Sequence, residues 1–219
     1  MKGLWTKDIK LISSQQKNLV LIWLIAAGIL IATDQISFAI TYTSVITLMT
    51  AISTISYDSF DNGNAFLFTL PISRKEYTRE KYLFSLFWGI VTVIGGVLLV
   101  VIVMAGKGTF SMRSEELLIV VLLNIPMLLI FQSLALPFLL KYGGEKGRLV
   151  LAVMIGAIIF VVIFFSQMFE NVGIELMDIM INQLYLKNIT LWVSTYIISI
   201  AIWFLSLKIS EGIMQKKEF

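Results

Sequence analysis

Histidine and cysteine are both absent from this 219-residue chain, so any chemistry falls to carboxylates, amides, hydroxyls and cationic side chains. That removes thiol nucleophiles, imidazole bases, disulfides, haem ligation by histidine and nearly every zinc site. The charged groups left over crowd into Ser56–Tyr82, with four basic and four acidic residues. Within it Asp61, Asn62, Gly63, Asn64, Phe66, Leu67 and Phe68 set aromatic side chains beside short polar ones. Phe60, Phe66, Leu67 and Phe68 need cover there, from the membrane interface or from another protein. A passive connector between two helices needs only a few residues, so this combination points to docking. A smaller polar cluster follows at Lys141–Arg148, with Gly143, Gly144, Glu145, Lys146, Gly147 and Arg148.

The elements that must hold these residues are membrane helices. Apolar residues make up 58% of the chain and charged ones 14%, against about 45–50% and about 25% in a soluble domain. Roughly 20 apolar residues cross a bilayer as a helix. Six stretches meet or approach that length: 19–33, 36–55, 83–105, 117–140, 149–169 and 190–207. The fourth contains Pro126 and Pro137, so a kink or a broken end is expected in it. With the N-terminus in the cytoplasm, 14 of the 17 Lys and Arg residues fall on the inner side, and only Lys107, Arg113 and Lys187 fall outside. That asymmetry predicts six spans, both termini cytoplasmic, in one all-α membrane domain. No cleavable signal peptide is expected, because a second span follows the first almost at once.

None of the six stretches contains Lys, Arg, Asp or Glu. Intramembrane ionisable residues mark ion and proton paths, so a proton- or sodium-driven carrier is disfavoured. The polar residues within them include Tyr42, Ser85, Thr92, Asn124, Gln132, Ser133 and Gln167. Two readings stand for these: interhelical hydrogen bonding, or, for Tyr42, Asn124, Gln132, Ser133 and Gln167, the lining of a pathway. A pathway so apolar suits hydrophobic or amphipathic cargo arriving from the inner leaflet.

Three further segments have a readable pattern. Residues 1–17 form an amphipathic elbow helix, with Trp5, Ile9 and Ile12 on one side and Lys7, Lys10, Ser14 and Lys17 on the other, suited to the inner leaflet interface. It is either an orientation anchor or a contact for a cytoplasmic partner. Ser73-Arg74-Lys75-Glu76 has the S-x-x-E spacing of a capping box and follows Pro71, so a helix is predicted to start at Ser73 and run into the third span. Upstream, Asp58 and Asp61 favour the N-terminus of a short helix through Asn64 and Leu67. On the outer side, Glu170–Asn188 places Glu175, Asp178 and Asn182 apart from Ile174, Met177, Ile181 and Leu184, as an amphipathic or partly re-entrant helix.

Asp61-Asn62-Gly63-Asn64-Ala65-Phe66-Leu67-Phe68, followed by Thr69-Leu70-Pro71-Ile72-Ser73-Arg74-Lys75-Glu76-Tyr77, resembles the first cytoplasmic loop of ABC-2-type permeases. The start Met1-Lys2-Gly3-Leu4 with Lys7-Asp8, and the stretch Pro137, Lys141, Gly143, Gly144, Glu145-Lys146-Gly147-Arg148, are also similar to the compact six-span branch. That branch includes permeases of bacterial exporters for phenol-soluble modulins and antimicrobial peptides.

The resemblance implies a permease subunit in a bacterial plasma membrane that pairs with a second permease, as a homo- or heterodimer. Each would rest on a cytoplasmic ABC ATPase that binds ATP and Mg. Asp61–Thr69 would be the coupling helix, and Gly143–Arg148 a smaller contact. The chain has no G-x-x-x-x-G-K-[ST] phosphate loop, so ATP hydrolysis is expected in the partner and no cofactor in this chain. The implied cargo is hydrophobic or amphipathic, such as small helical peptides; nucleic acid is not expected as a partner. A different class of function, a non-transporting immunity or scaffold protein, remains as the alternative, and a membrane enzyme is remote without His, Cys or intramembrane carboxylates.

Overall fold

The computed structural model describes residues 2–60, 63–108, 110–143, 146–147, 149, 152–153, 156 and 189–218, with side chains of 110–116 excepted. Seven helices account for nearly all of these: α1 (Lys2–Ser14), α2 (Gln16–Thr33), α3 (Ile36–Ser59), α4 (Gly63–Leu67), α5 (Arg74–Lys107), α6 (Phe110–Tyr142) and α7 (Ile189–Lys216). Five are long and apolar enough to cross a membrane. They match the first four and the last of the expected spans. The expected fifth span, 149–169, and the outer segment 170–188 fall almost wholly outside the described residues.

Every described span runs further than its apolar stretch. The clearest case is α5, whose 34 residues extend about 51 Å at 1.5 Å per residue against a hydrocarbon core of about 30 Å. Its surplus lies at the start, Arg74–Tyr82, where the charges are. Ser73 caps that start as its spacing predicts. The Ser73 Oγ accepts from the Glu76 amide at 3.2 Å, and the Glu76 carboxylate accepts from the Ser73 amide at 3.0 Å. The Ser73 amide, and the Ser73 hydroxyl donating at 2.9 Å, hold the carboxyl of Glu76 below its ordinary range. At the other end Gly108 takes φ 69° and stops the helix.

α6 is one helix through both Pro126 and Pro137, so the expected broken end does not occur. A proline has no N–H for the carbonyl four residues before it. The carbonyls left over are those of Leu122 and Ser133, and each finds a hydroxyl on α7. Tyr196 donates to the Leu122 oxygen at 2.8 Å, and Ser206 donates to the Ser133 oxygen at 2.6 Å. α7 therefore supplies what the two prolines remove.

The same pairs fix direction. Tyr196 precedes Ser206 as Leu122 precedes Ser133, so α6 and α7 run parallel. α7 consequently begins at the end of the bundle at which α6 begins.

Two apolar clusters fill the bundle at different depths. One joins Leu48, Ile52, Tyr82, Leu128, Leu136, Leu140 and Trp203 of α3, α5, α6 and α7. The other, near the α2–α3 turn, joins Leu30, Ile36, Ile40, Val100, Met104 and Val120. Asp34 makes that turn in the left-handed region at φ 56°, and its carboxylate accepts from Lys107 at 2.6 Å. A third, smaller cluster seats α1 against α3 and α5 through Ile12, Ala51 and Phe84.

Candidate coupling end

Charged residues of α1, α3, the start of α5 and the end of α7 meet at one end of the bundle. Lys81 lies at its centre, 1% exposed. Its ammonium donates to Asp8 of α1, to the Thr54 hydroxyl at 3.0 Å, and pairs with Asp58 of α3 at 2.8 Å. Lys7 closes the ring by donating to the other Asp58 oxygen and lying 3.2 Å from Asp8. Tyr77 donates to Asp58 at 3.0 Å. Burial pushes the Asp58 carboxyl up, but Lys81 and Lys7 outweigh it and hold it below its ordinary value. Burial, then the Asp58 charge, drives the Tyr77 hydroxyl well up, so it remains a donor.

This ring corrects two sequence expectations. Asp58 does not serve the N-terminus of the short helix, because it still belongs to α3 and is taken up by Lys7, Lys81 and Tyr77. α1 is also rotated from its expected seat. Leu4, Asp8 and Ile12 face inward and Ile9 is exposed, while Trp5 packs on Phe84 and Phe87 with ring centroids 5.6 and 5.5 Å apart. Lys7 turns toward the protein rather than to a lysine face. The hint in the sequence is Asp8 itself, four residues from Leu4 and four from Ile12 on one helical stripe.

α4 lies beside this ring and is shorter than the expected Asp61–Thr69. Gly63 abuts α3 closely: a Cβ there would lie 2.8 Å from the Asp58 carbonyl oxygen. Asn64 and Leu67 are buried, and Phe68 packs edge-on against Tyr77 at 5.6 Å. Leu67 and Phe68 thus hold the loop to the bundle and need no outside cover. Phe66 and Phe60 remain 71% and 65% exposed. Asp61 and Asn62 lie outside the described residues.

α7 reaches the same end. Arg79 pairs with Glu211 at 2.6 Å, Arg74 donates to the Gln215 carbonyl at 2.8 Å, and Lys217 donates to the Leu140 carbonyl at 2.7 Å. Beyond α6, Gly143 adopts φ 80°, and Gly147 packs so that a Cβ would sit 2.9 Å from a Leu139 methyl. Lys146 is exposed; Gly144, Glu145 and Arg148 lie outside the described residues.

The polar residues expected within the spans are mostly engaged in packing. Asn124 accepts from Ser44 at 3.0 Å and donates to Thr41 and to the Val120 carbonyl. Gln132 donates to the Tyr82 carbonyl and to Ser85 and accepts from Trp203 at 3.1 Å, joining α5, α6 and α7. Ser133 donates to the Leu129 carbonyl. Tyr42 is half-buried and stacks on Phe38 at 5.8 Å, and Gln167 lies outside the described residues. A separate cavity of about 460 Å³ opens between α3 and α6, lined mainly by apolar groups including Ile46, Met49, Phe131 and Leu139, with Gln15 and Tyr57 among its polar lining. Among the described residues no cluster could hold a metal ion.

Comparison with known proteins bears on the whole chain. No curated protein and no solved structure matches it. A family model described as ABC-2 family transporter protein matches residues 3–215, which takes in all seven helices but for a residue at either extreme. A chain of membrane-crossing helices whose charged extensions gather at one end, matched over nearly its whole length by that model, belongs to the ABC-2 family of transporter proteins and is a multi-pass membrane subunit of such a transporter.

Proposed function

We propose that this chain is the permease subunit of an ATP-driven exporter in a bacterial plasma membrane, worked by a separate cytoplasmic ATPase through α4 and the loop around it. The observation that carries this is the exposure of Phe66, with Phe60 and Leu70, on a loop that Leu67 and Phe68 seat against the bundle. An exposed aromatic on a firmly seated loop is the anchor a partner pocket takes. Gly144–Arg148, with Lys146 exposed, supplies a smaller second contact. ATP and Mg bind the partner, not this chain. A second permease, identical or related, covers part of the exposed apolar rows on α2 and α7, and lipid covers the rest.

The cargo is hydrophobic or amphipathic, with small helical peptides the class that fits best. The apolar cavity between α3 and α6 supports this, being within the size range of small-ligand sites. With Asn124 and Gln132 engaged in interhelical bonds and the Ser133 hydroxyl bonded within α6, Tyr42 and Gln167 are the pathway candidates least engaged by the bundle.

The test is co-purification from cells expressing the chain together with an ATPase encoded beside it. A stoichiometric complex is expected, and Phe66→Asp is expected to abolish both the complex and export while the protein still inserts. A chain that purifies alone, or a Phe66→Asp variant that keeps its ATPase, defeats the docking assignment and favours a non-transporting immunity or scaffold role.

A further inference from the structure

Glu80 lies on α5 one residue before Lys81, outside the apolar stretch, and is 0% exposed. Neither carboxylate oxygen has a hydrogen-bond partner. The charges around it are already matched. From α1 come Lys7 and Asp8, from α3 Asp58, and from α5 itself Lys81, with Tyr77 neutral. Two lysines face two aspartates in the ring, and the three donors of Lys81 go to Asp8, Asp58 and Thr54. Among the described residues no cation is left for a third carboxylate. Lys2 and Lys10 of α1 are exposed, Glu76 is bound to Ser73, and Arg79 pairs with Glu211 on α7. The five residues of α4 carry no titratable side chain.

We propose that Glu80 is a proton-binding site, carrying a proton while α1 is seated on α3 and α5, so that release of α1 from the bundle releases one proton to the cytoplasm. A buried carboxyl without a donor is destabilised in its charged form and neutralises instead. Protonation brings the net charge of the buried group, Lys7, Lys81, Asp8, Asp58 and Glu80, to zero. When α1 lifts, Asp8 and Lys7 leave with it and water reaches Glu80, which ionises as an ordinary glutamate.

The sign of the linkage follows. Burial chiefly, with Asp8 and Asp58 adding to it against Lys81 and Lys7, raises the seated value to about 7 from an ordinary 4.5. A raised value means the seated state binds more protons. Its contribution to α1 docking is complete below 4.5, declines as pH rises, and is gone above about 7. Between pH 7.5 and 5.5 those two values give a docking equilibrium that strengthens roughly twentyfold on acidification.

Hydrogen exchange of the α1 amides, measured on the full chain in lipid vesicles and corrected for intrinsic rates, reads that equilibrium. Protection is expected to be roughly twentyfold greater at pH 5.5 than at 7.5. In Glu80→Gln, which is neutral throughout, the low-pH protection is expected at both values. Equal protection of the native chain at both pH values, or the same pH dependence in Glu80→Gln, overturns the proposal. Infrared pH-difference spectra of the unmodified chain decide independently of whether that variant folds. One protonated-carboxyl band is expected to bleach with a midpoint near 7, and its absence at pH 5.5 overturns the assignment. Neither measurement involves an ATPase or cargo, so the outcome is separate from that of the permease reading.

Discussion

Among the described residues Lys81 joins three helices, because α1, α3 and α5 meet on its ammonium. Removing one partner of a buried ion group leaves the others uncompensated, at a cost of about 3–5 kcal/mol. Lys81→Met is therefore expected to destabilise the detergent-solubilised protein by that order, read from its unfolding transition. Arg79 offers a contrast, since half its side chain lies in solvent although its partner Glu211 is buried; its loss is expected to cost less than that of Lys81. Gly63→Ala tests a steric rather than an electrostatic point. The added Cβ would meet the Asp58 carbonyl, which is backbone at the end of α3, so α4 must shift. Loss of ATPase co-purification with an unchanged unfolding transition is the expected result. None of these contacts is visible locally: Asp8 lies 73 residues from Lys81, and only Lys7 and Asp8 stand together in the sequence.

Helix ends and helix pairs respond to different rules. The α5 start was legible in the sequence, because a capping box spans four consecutive residues and needs nothing from elsewhere. Ser73→Ala is expected to cost about 1 kcal/mol, seen as faster amide exchange in the first turn of α5. The prolines of α6 were legible too, but their consequence was not. A kink or a broken end was the expectation because α6 alone cannot satisfy the Leu122 and Ser133 carbonyls; α7 satisfies them, and the helix does not break. Tyr196→Phe is expected to cost about 1 kcal/mol, near the usual worth of a hydrogen bond within a membrane protein. In a Pro126→Ala background residue 126 regains its N–H and the Leu122 carbonyl its helical partner. There Tyr196→Phe is expected to cost markedly less, and a double-mutant cycle on unfolding transitions measures the difference. Full additivity would show that the Tyr196 hydroxyl does not replace the missing N–H.

At the scale of the whole molecule, one end of the bundle gathers the start of α1, the end of α3, α4, the start of α5, the ends of α6 and α7, and nearly all their charges. The opposite end shows Asp34 with Lys107. The absence of cysteine makes orientation simple to read, because a single introduced thiol is the only one. Lys75→Cys and Gln215→Cys are expected to react with an impermeant maleimide only after the cells are opened. Asp34→Cys is expected to react with intact cells. The convergence also gives the proposed engine contact its reach: movement imposed on α4 meets α5, and through the Lys81 ring and the Arg79–Glu211 pair it meets α1 and α7.

The apolar helices long enough to cross a membrane were determined by the sequence alone, because hydrophobic length acts residue by residue against lipid and water. The capped entry to α5 was equally local. Which face of α1 is buried, where Asp58 is directed, why α6 stays whole through two prolines, and whether Asn124 and Gln132 line a path or join helices were decided only by the tertiary structure. Each depends on a partner many residues away, brought near by packing, and on the need of buried charges and orphaned carbonyls to find one.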